Sequence, residues 1–85
     1  MILAEKKIGV IKHYYSNIGV AVVDLTGTLK VGDEIHIKGT ATDFTVKVDS
    51  MQIEHKNVKE AKKGQSIGLK VPEKVRESDI VYLVG

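Results

Sequence analysis

The stretch Gly27-Thr28-Leu29-Lys30-Val31-Gly32-Asp33-Glu34-Ile35-His36-Ile37 decides the reading of this chain. It opens on a glycine connection and turns at Val31-Gly32-Asp33. It then runs into Glu34–Lys38, where Ile35 and Ile37 point one way and Glu34, His36 and Lys38 the other. Alternation with period 2 after a Gly-Asp turn is the signature of a half-buried strand. Gly32 supplies the positive φ that a tight turn requires.

The same period extends in both directions. Upstream, Ile8, Val10 and Ile11 belong to a strand from about Glu5 to Tyr14, Ser16-Asn17 marks a turn, and Ile18 to Leu25 is a long apolar strand. Its apolar residues fall at both parities, which implies cover on both faces or a place where a small barrel curls over its core. Downstream, Gly39 to Asp43 is a polar hairpin loop, and Phe44, Val46 and Val48 alternate at even positions. Met51 and Ile53 continue at odd positions, so a β-bulge is expected near Asp49-Ser50. His55 to Gly64 reads as a basic loop with Val58 and Ala61 tucked inward. Ser66 to Val71 is a strand that Pro72 stops, Glu73 to Asp79 is a charged connection, and Ile80 to Val84 is a closing strand.

Composition agrees. The chain has 85 residues, 42% of them apolar and 28% charged. It holds 12 Val and 9 Ile against 5 Leu, and β-branched residues favour sheet over helix. No stretch is long and amphipathic enough for a substantial helix. Turn signals every 8–12 residues and six or seven short strands point to one domain over 1–85, an all-β, small closed antiparallel barrel. Closure also removes the open edges through which strands this apolar would aggregate.

The quoted stretch resembles the second domain of translational GTPases, the β-barrel that follows the G domain in elongation factor Tu. There the pattern runs roughly Gly, x, Leu/Val, Lys, x, Gly, Asp, x, Val, x, Ile. Val48 to Ile53 resembles the strand leading into that domain's variable loop. Glu60 to Leu69 resembles its Gly-Asp/Gln-x-Val-Gly-Leu segment, and Val75 to Val81 its terminal strand entry, with Ser78 in place of a glycine. The resemblance implies a six- to seven-stranded barrel of the translation-protein type and a non-catalytic binding module, RNA- or ribosome-associated. The partners it implies are transfer RNA or ribosomal RNA. Gln52 stands where the family has a Glu against the terminal adenosine, Glu54 and His55 replace a His and an Arg, and Lys70 replaces an apolar residue.

The residues leave two functional readings open. In the first, Lys56, Lys59, Lys62 and Lys63 contact phosphates beside Gln52, Glu54 and His55, and Tyr15 stacks a base. Tyr14 and Tyr15 are strand neighbours, so at most one faces the core. In the second, a near-neutral net charge of +2 suits a protein-interaction module that docks on a translation factor or an RNA-modifying enzyme. Its contact surface would be the Ile2-Leu3 end or the Tyr14-Tyr15 rim.

Enzymatic chemistry is not expected. There is no Gly-x-x-x-x-Gly-Lys-Ser/Thr loop for nucleotide phosphates and no cysteine for thiolate chemistry. His13, His36 and His55 are far apart and show no metal-ligand spacing, so neither metal nor cofactor is expected. The Met1–Lys7 start lacks the apolar region of a signal peptide, and the longest apolar run, Ile18 to Val23, falls short of the roughly 20 residues of a span. The location expected is cytoplasmic.

Overall fold

A computed structural model describes residues 5–84. These form ten strands and no helix: β1 Glu5–Tyr15, β2 Val20–Leu25, β3 Leu29–Lys30, β4 Glu34–Lys38, β5 Asp43–Lys47, β6 Met51–Ile53, β7 Lys56–Val58, β8 Glu60–Ala61, β9 Ser66–Lys70 and β10 Ile80–Val84. Eight of them make one sheet in the order β5-β4-β10-β1-β2-β9-β6-β7, and β3 pairs with β8 in a separate ribbon. The paired neighbours are antiparallel.

The inward parity is the one the sequence implies. Ala21, Val23 and Leu25 of β2, Ile35 and Ile37 of β4, and Ile67 and Leu69 of β9 are buried together with Val71. Leu29 and Ala61 face each other across the ribbon and are fully buried. β1 delivers both Ile8 and Ile11 to the core, three residues apart, because its register shifts between Lys7 and Gly9 and again between Ile11 and His13.

Two expectations need correction, the strand count and the bulge. The strand count is ten, not six or seven: the His55 to Gly64 segment read as a basic loop contains β7 and β8, and the connection after Thr26-Gly27 contains β3. Among the described residues no ladder joins the end strands β5 and β7. The parity change near Asp49-Ser50 is no bulge. The ladder breaks there: β5 stays with β4, whereas β6 starts afresh against β9 and β7.

The break has a physical cause in the Val31-Gly32-Asp33 turn. Lys30 to Asp33 is a tight turn with Gly32 at φ 97°, closed by the Asp33 N–H donating to the Lys30 carbonyl (3.1 Å). The Asp33 side chain in turn accepts from the Lys30 N–H at 3.0 Å. The turn takes over Val48, whose N–H donates to the Asp33 carbonyl and whose carbonyl accepts from Gly32, both at 2.8 Å. On its other side the Val31 N–H donates to the Lys59 carbonyl at 2.9 Å. The turn thus stands between the two ends of the sheet and satisfies backbone groups of each.

The 73–79 connection is also more than a charged loop. Val75 is a core residue, and Asp79, only 5% exposed, accepts a hydrogen bond from the Arg76 N–H at 2.9 Å.

Candidate functional site

Strands β1, β2, β9 and β6 carry a second, outward face. On β2 it consists of Val20, Val22 and Asp24, and on β9 of Ser66, Gly68 and Lys70. The register sets Tyr15 beside Val20 and His13 beside Val22, with Gly68 between Val22 and Gln52. Because Gly68 has no side chain, this face sinks into a groove of about 300 Å³ lined by Tyr15, Ile18, Val20, Val22, Gln52, Glu54, His55, Ser66, Ile67 and Gly68.

The walls differ in chemistry. Tyr15 and Ile18 form an apolar lip, 47% and 59% exposed, which makes them two of the three exposed large apolar residues among those described. The Tyr15 ring meets that of His13 edge-on at 4.3 Å between centroids, and His13 lies 3.4 Å from the Glu77 carboxylate. The opposite rim is the β6–β7 hairpin. Its turn is Glu54-His55, with φ of 52° and 66°. Two successive positive φ values are the mark of a type I′ hairpin, normally built from Asn and Gly. Behind it, Gln52 donates its amide to Asn57 at 3.2 Å. At the far end the Ser66 hydroxyl donates to Asp24.

Gly68 itself is not required by the fold. A Cβ built there meets Val20 Cγ1 at 3.5 Å, an ordinary contact, and its φ is not left-handed. By contrast, a Cβ on Gly9 would come within 2.7 Å of Val23.

Of the candidate residues read from sequence, the structure brings Tyr15, Gln52, Glu54 and His55 into this one groove. It does not bring the lysines there. Lys56 follows the hairpin turn and points to solvent, and Lys59 lines a separate hollow with Val31, Met51 and Asn57. Lys62 and Lys63 lie in the turn before β9. Lys70 borders a third hollow with Val46, Lys47 and Pro72. Sequence reasoning missed the floor, Val20, Val22 and Gly68. Its signal was present in the two-parity apolar run of β2 and the mid-strand glycine of β9. Tyr14, as the alternation requires, packs against the core instead. The Ile2-Leu3 end lies outside the described residues.

A wider depression of about 450 Å³ is bounded by Tyr14, Ser16, Lys74, Val75, Arg76 and Glu77. Farther along the same outward face, on β4, His36 sits between two carboxylates, Nδ1 2.8 Å from Glu5 and Nε2 2.5 Å from Asp43. The hydrogen bond to Asp43, and then that to Glu5, holds the imidazole above its ordinary pKa. The His36 bond likewise lowers the Asp43 carboxyl. Among the described residues no group of three or more His, Asp or Glu is placed to hold a metal ion, and no helix is long and apolar enough to cross a membrane.

The fold and the Lys-Val-Gly-Asp turn find their match in a known domain. The sequence profile of elongation factor Tu domain 2 matches residues 20–83. The chain belongs to the elongation factor Tu domain 2 family. The chain is 44% identical over 79 residues, 92% of its length, to an uncharacterized protease of Methanocaldococcus jannaschii. It is 44% identical over 71 residues, 81% of its length, to a collagenase of Porphyromonas gingivalis. It spans about a fifth of those curated relatives, 19% and 20% respectively. The fold is also that of the C-terminal domain of a Geobacillus thermoleovorans protein described as a U32 peptidase. That domain superposes with a TM-score of 0.86 at 20% identity, over 89% of this chain and 96% of the other.

Proposed function

We propose that this domain is a non-catalytic binding module whose groove holds an extended polypeptide segment of a protein partner. One observation carries this reading: three departures from local structural preference meet in the groove. A strand-interior glycine that sterics do not demand forms its floor. Two left-handed residues that are neither Asn nor Gly form its rim. Two exposed apolar residues form its lip. Each is unfavourable to the isolated fold, and such departures concentrate where function requires them.

The choice of polypeptide over RNA rests on the lining. It holds no Lys or Arg, while Glu54 adds a carboxylate. A phosphate backbone laid there would gain no counter-charge. The relatives described as a protease and a collagenase are proteins that act on polypeptide, which fits an accessory gripping role. The same reading takes the sheet as a closed barrel, with the Val31–Asp33 turn standing in for the missing ladder. Slow amide exchange at Gly32 and Val48, matching that of β9, would support closure.

The test is an amide-resolved NMR titration of the ¹⁵N-labelled chain against end-blocked pentapeptides and, separately, a CCA-ended acceptor-stem RNA. The expected result is peptide-induced shifts at Val20, Val22, Gln52 and Gly68 that disappear in Gly68→Val. Salt-sensitive shifts of the same amides with RNA alone would overturn the polypeptide reading.

A further inference from the structure

We infer that the segment held in the groove presents a basic side chain, arginine or lysine, whose apolar stem lies on the valine floor beside the Tyr15 lip and whose cationic head meets Glu54 on the opposite rim. This inference rests on the groove reading above and adds the chemistry of the occupant. The argument begins with charge. Glu54 carries the one formal charge in the lining when histidine is counted neutral, and it forms no ion pair among the described residues. The next acid along the β2 face, Asp24, takes the Ser66 hydroxyl at the groove's end. The nearest base on the β9 face, Lys70, borders a different hollow. A cation entering the groove therefore meets a carboxylate without a competing ammonium in the lining.

Shape points the same way. The floor of Val20, Val22 and Gly68 is apolar, and the lip is Tyr15. Basic side chains lay their methylene stems on such surfaces while the charged head stays at the edge. Nearly half of the Tyr15 surface is open. At about 300 Å³ the groove is at the small end for binding sites, sized for a side chain or two rather than a folded surface. Neither a hydrophobic anchor nor an acidic one uses both Tyr15 and Glu54.

The experiment uses four end-blocked pentapeptides identical but for the central residue: arginine, lysine, leucine, or citrulline, which keeps the shape of arginine without its charge. Each is titrated into the labelled chain at low and moderate salt. The arginine peptide should shift the amides of Val20, Val22, Gln52 and Gly68 and bind about five-fold more tightly than the citrulline peptide, with the gap narrowing as salt rises. The exposed Glu54→Gln variant should abolish that gap by weakening the arginine peptide to the affinity of the citrulline peptide. Equal binding of arginine and citrulline at the groove, or tighter binding of leucine, would overturn the inference and leave the groove reading standing. No groove shift with any peptide would overturn both.

Discussion

Replacing Gly39 by alanine should unfold much of this protein's margin of stability, for a reason confined to one contact. A Cβ built on Gly39 lies 2.6 Å from Cγ of Asp79 and 3.3 Å from its Oδ2. Both backbones are tied by hydrogen bonds. The Gly39 N–H donates to the Thr42 carbonyl at 2.7 Å, and the Asp79 carbonyl accepts from Ile11 at 2.8 Å. The Asp79 side chain must therefore swing away and give up its bond from the Arg76 N–H. A hydrogen bond to a charged group contributes about 1.5–3 kcal/mol, and forcing extra volume into a packed site costs about 1–3 kcal/mol. The expected loss is about 3 kcal/mol at least, against about 4–13 kcal/mol in total for a chain of this length. In a domain this small that lowers Tm by about 12–24 °C. Urea unfolding followed by circular dichroism, run as a double-mutant cycle, tests the cause. Asp79→Ala is destabilising by itself, but Gly39→Ala added to it should cost less than about 1 kcal/mol. Equal costs of Gly39→Ala in the two backgrounds would refute the argument, as would a loss below about 0.5 kcal/mol in the native chain.

Further outcomes concern the charged cluster and the groove. The raised His36 pKa means that its contribution to stability is complete below the unfolded value of 6.5 and is lost as pH rises through the folded value. For Asp43 the contribution is complete above 3.8 and is lost as pH falls through its lowered value. The stability gap between the native chain and His36→Gln should therefore be widest near about pH 5–6 and shrink by about pH 9, read from urea midpoints. A gap that widens with pH would contradict the assignment. The pair Glu54→Asn and His55→Gly should raise stability by about 1 kcal/mol by supplying residues suited to a type I′ turn, and should weaken peptide binding in the NMR titration. Gly68→Ala should be neutral or up to about 1 kcal/mol stabilising in thermal unfolding, because strand glycine is entropically unfavourable and the new methyl finds ordinary contacts.

What sequence conveys here follows a physical division. Where one face of a strand is buried, period 2 fixes which residues point inward, and Ile35, Ile37, Ile67 and Leu69 are inward as read. The Gly32 turn was readable because only glycine takes its φ without strain. The β6–β7 hairpin was not, because Glu54-His55 lacks the Asn-Gly chemistry that signals such a turn. Val75 was hidden among charges, since one apolar residue in a connection has no period to betray it. For the groove, Gln52, Glu54 and His55 came from a resemblance and Tyr15 from strand alternation, and the structure brings the four together. The lysines came from charge density alone. Charge density says nothing about which face a residue occupies, and they lie elsewhere.

The two faces of β2 and β9 have a consequence for how this domain can change. Inner positions Ala21, Val23, Ile67 and Leu69 hold the core, while Val20, Val22, Ser66 and Gly68 alternate with them on the outer side. Substitutions at the outer set alter the surface offered to a ligand while leaving every core contact in place, so recognition can drift through point changes at nearly constant stability. A single inserted or deleted residue in either strand does the opposite. It exchanges the two sets at once, turning the core face to solvent. The lineage of such a domain should therefore record many replacements in these strands and almost no change in their length.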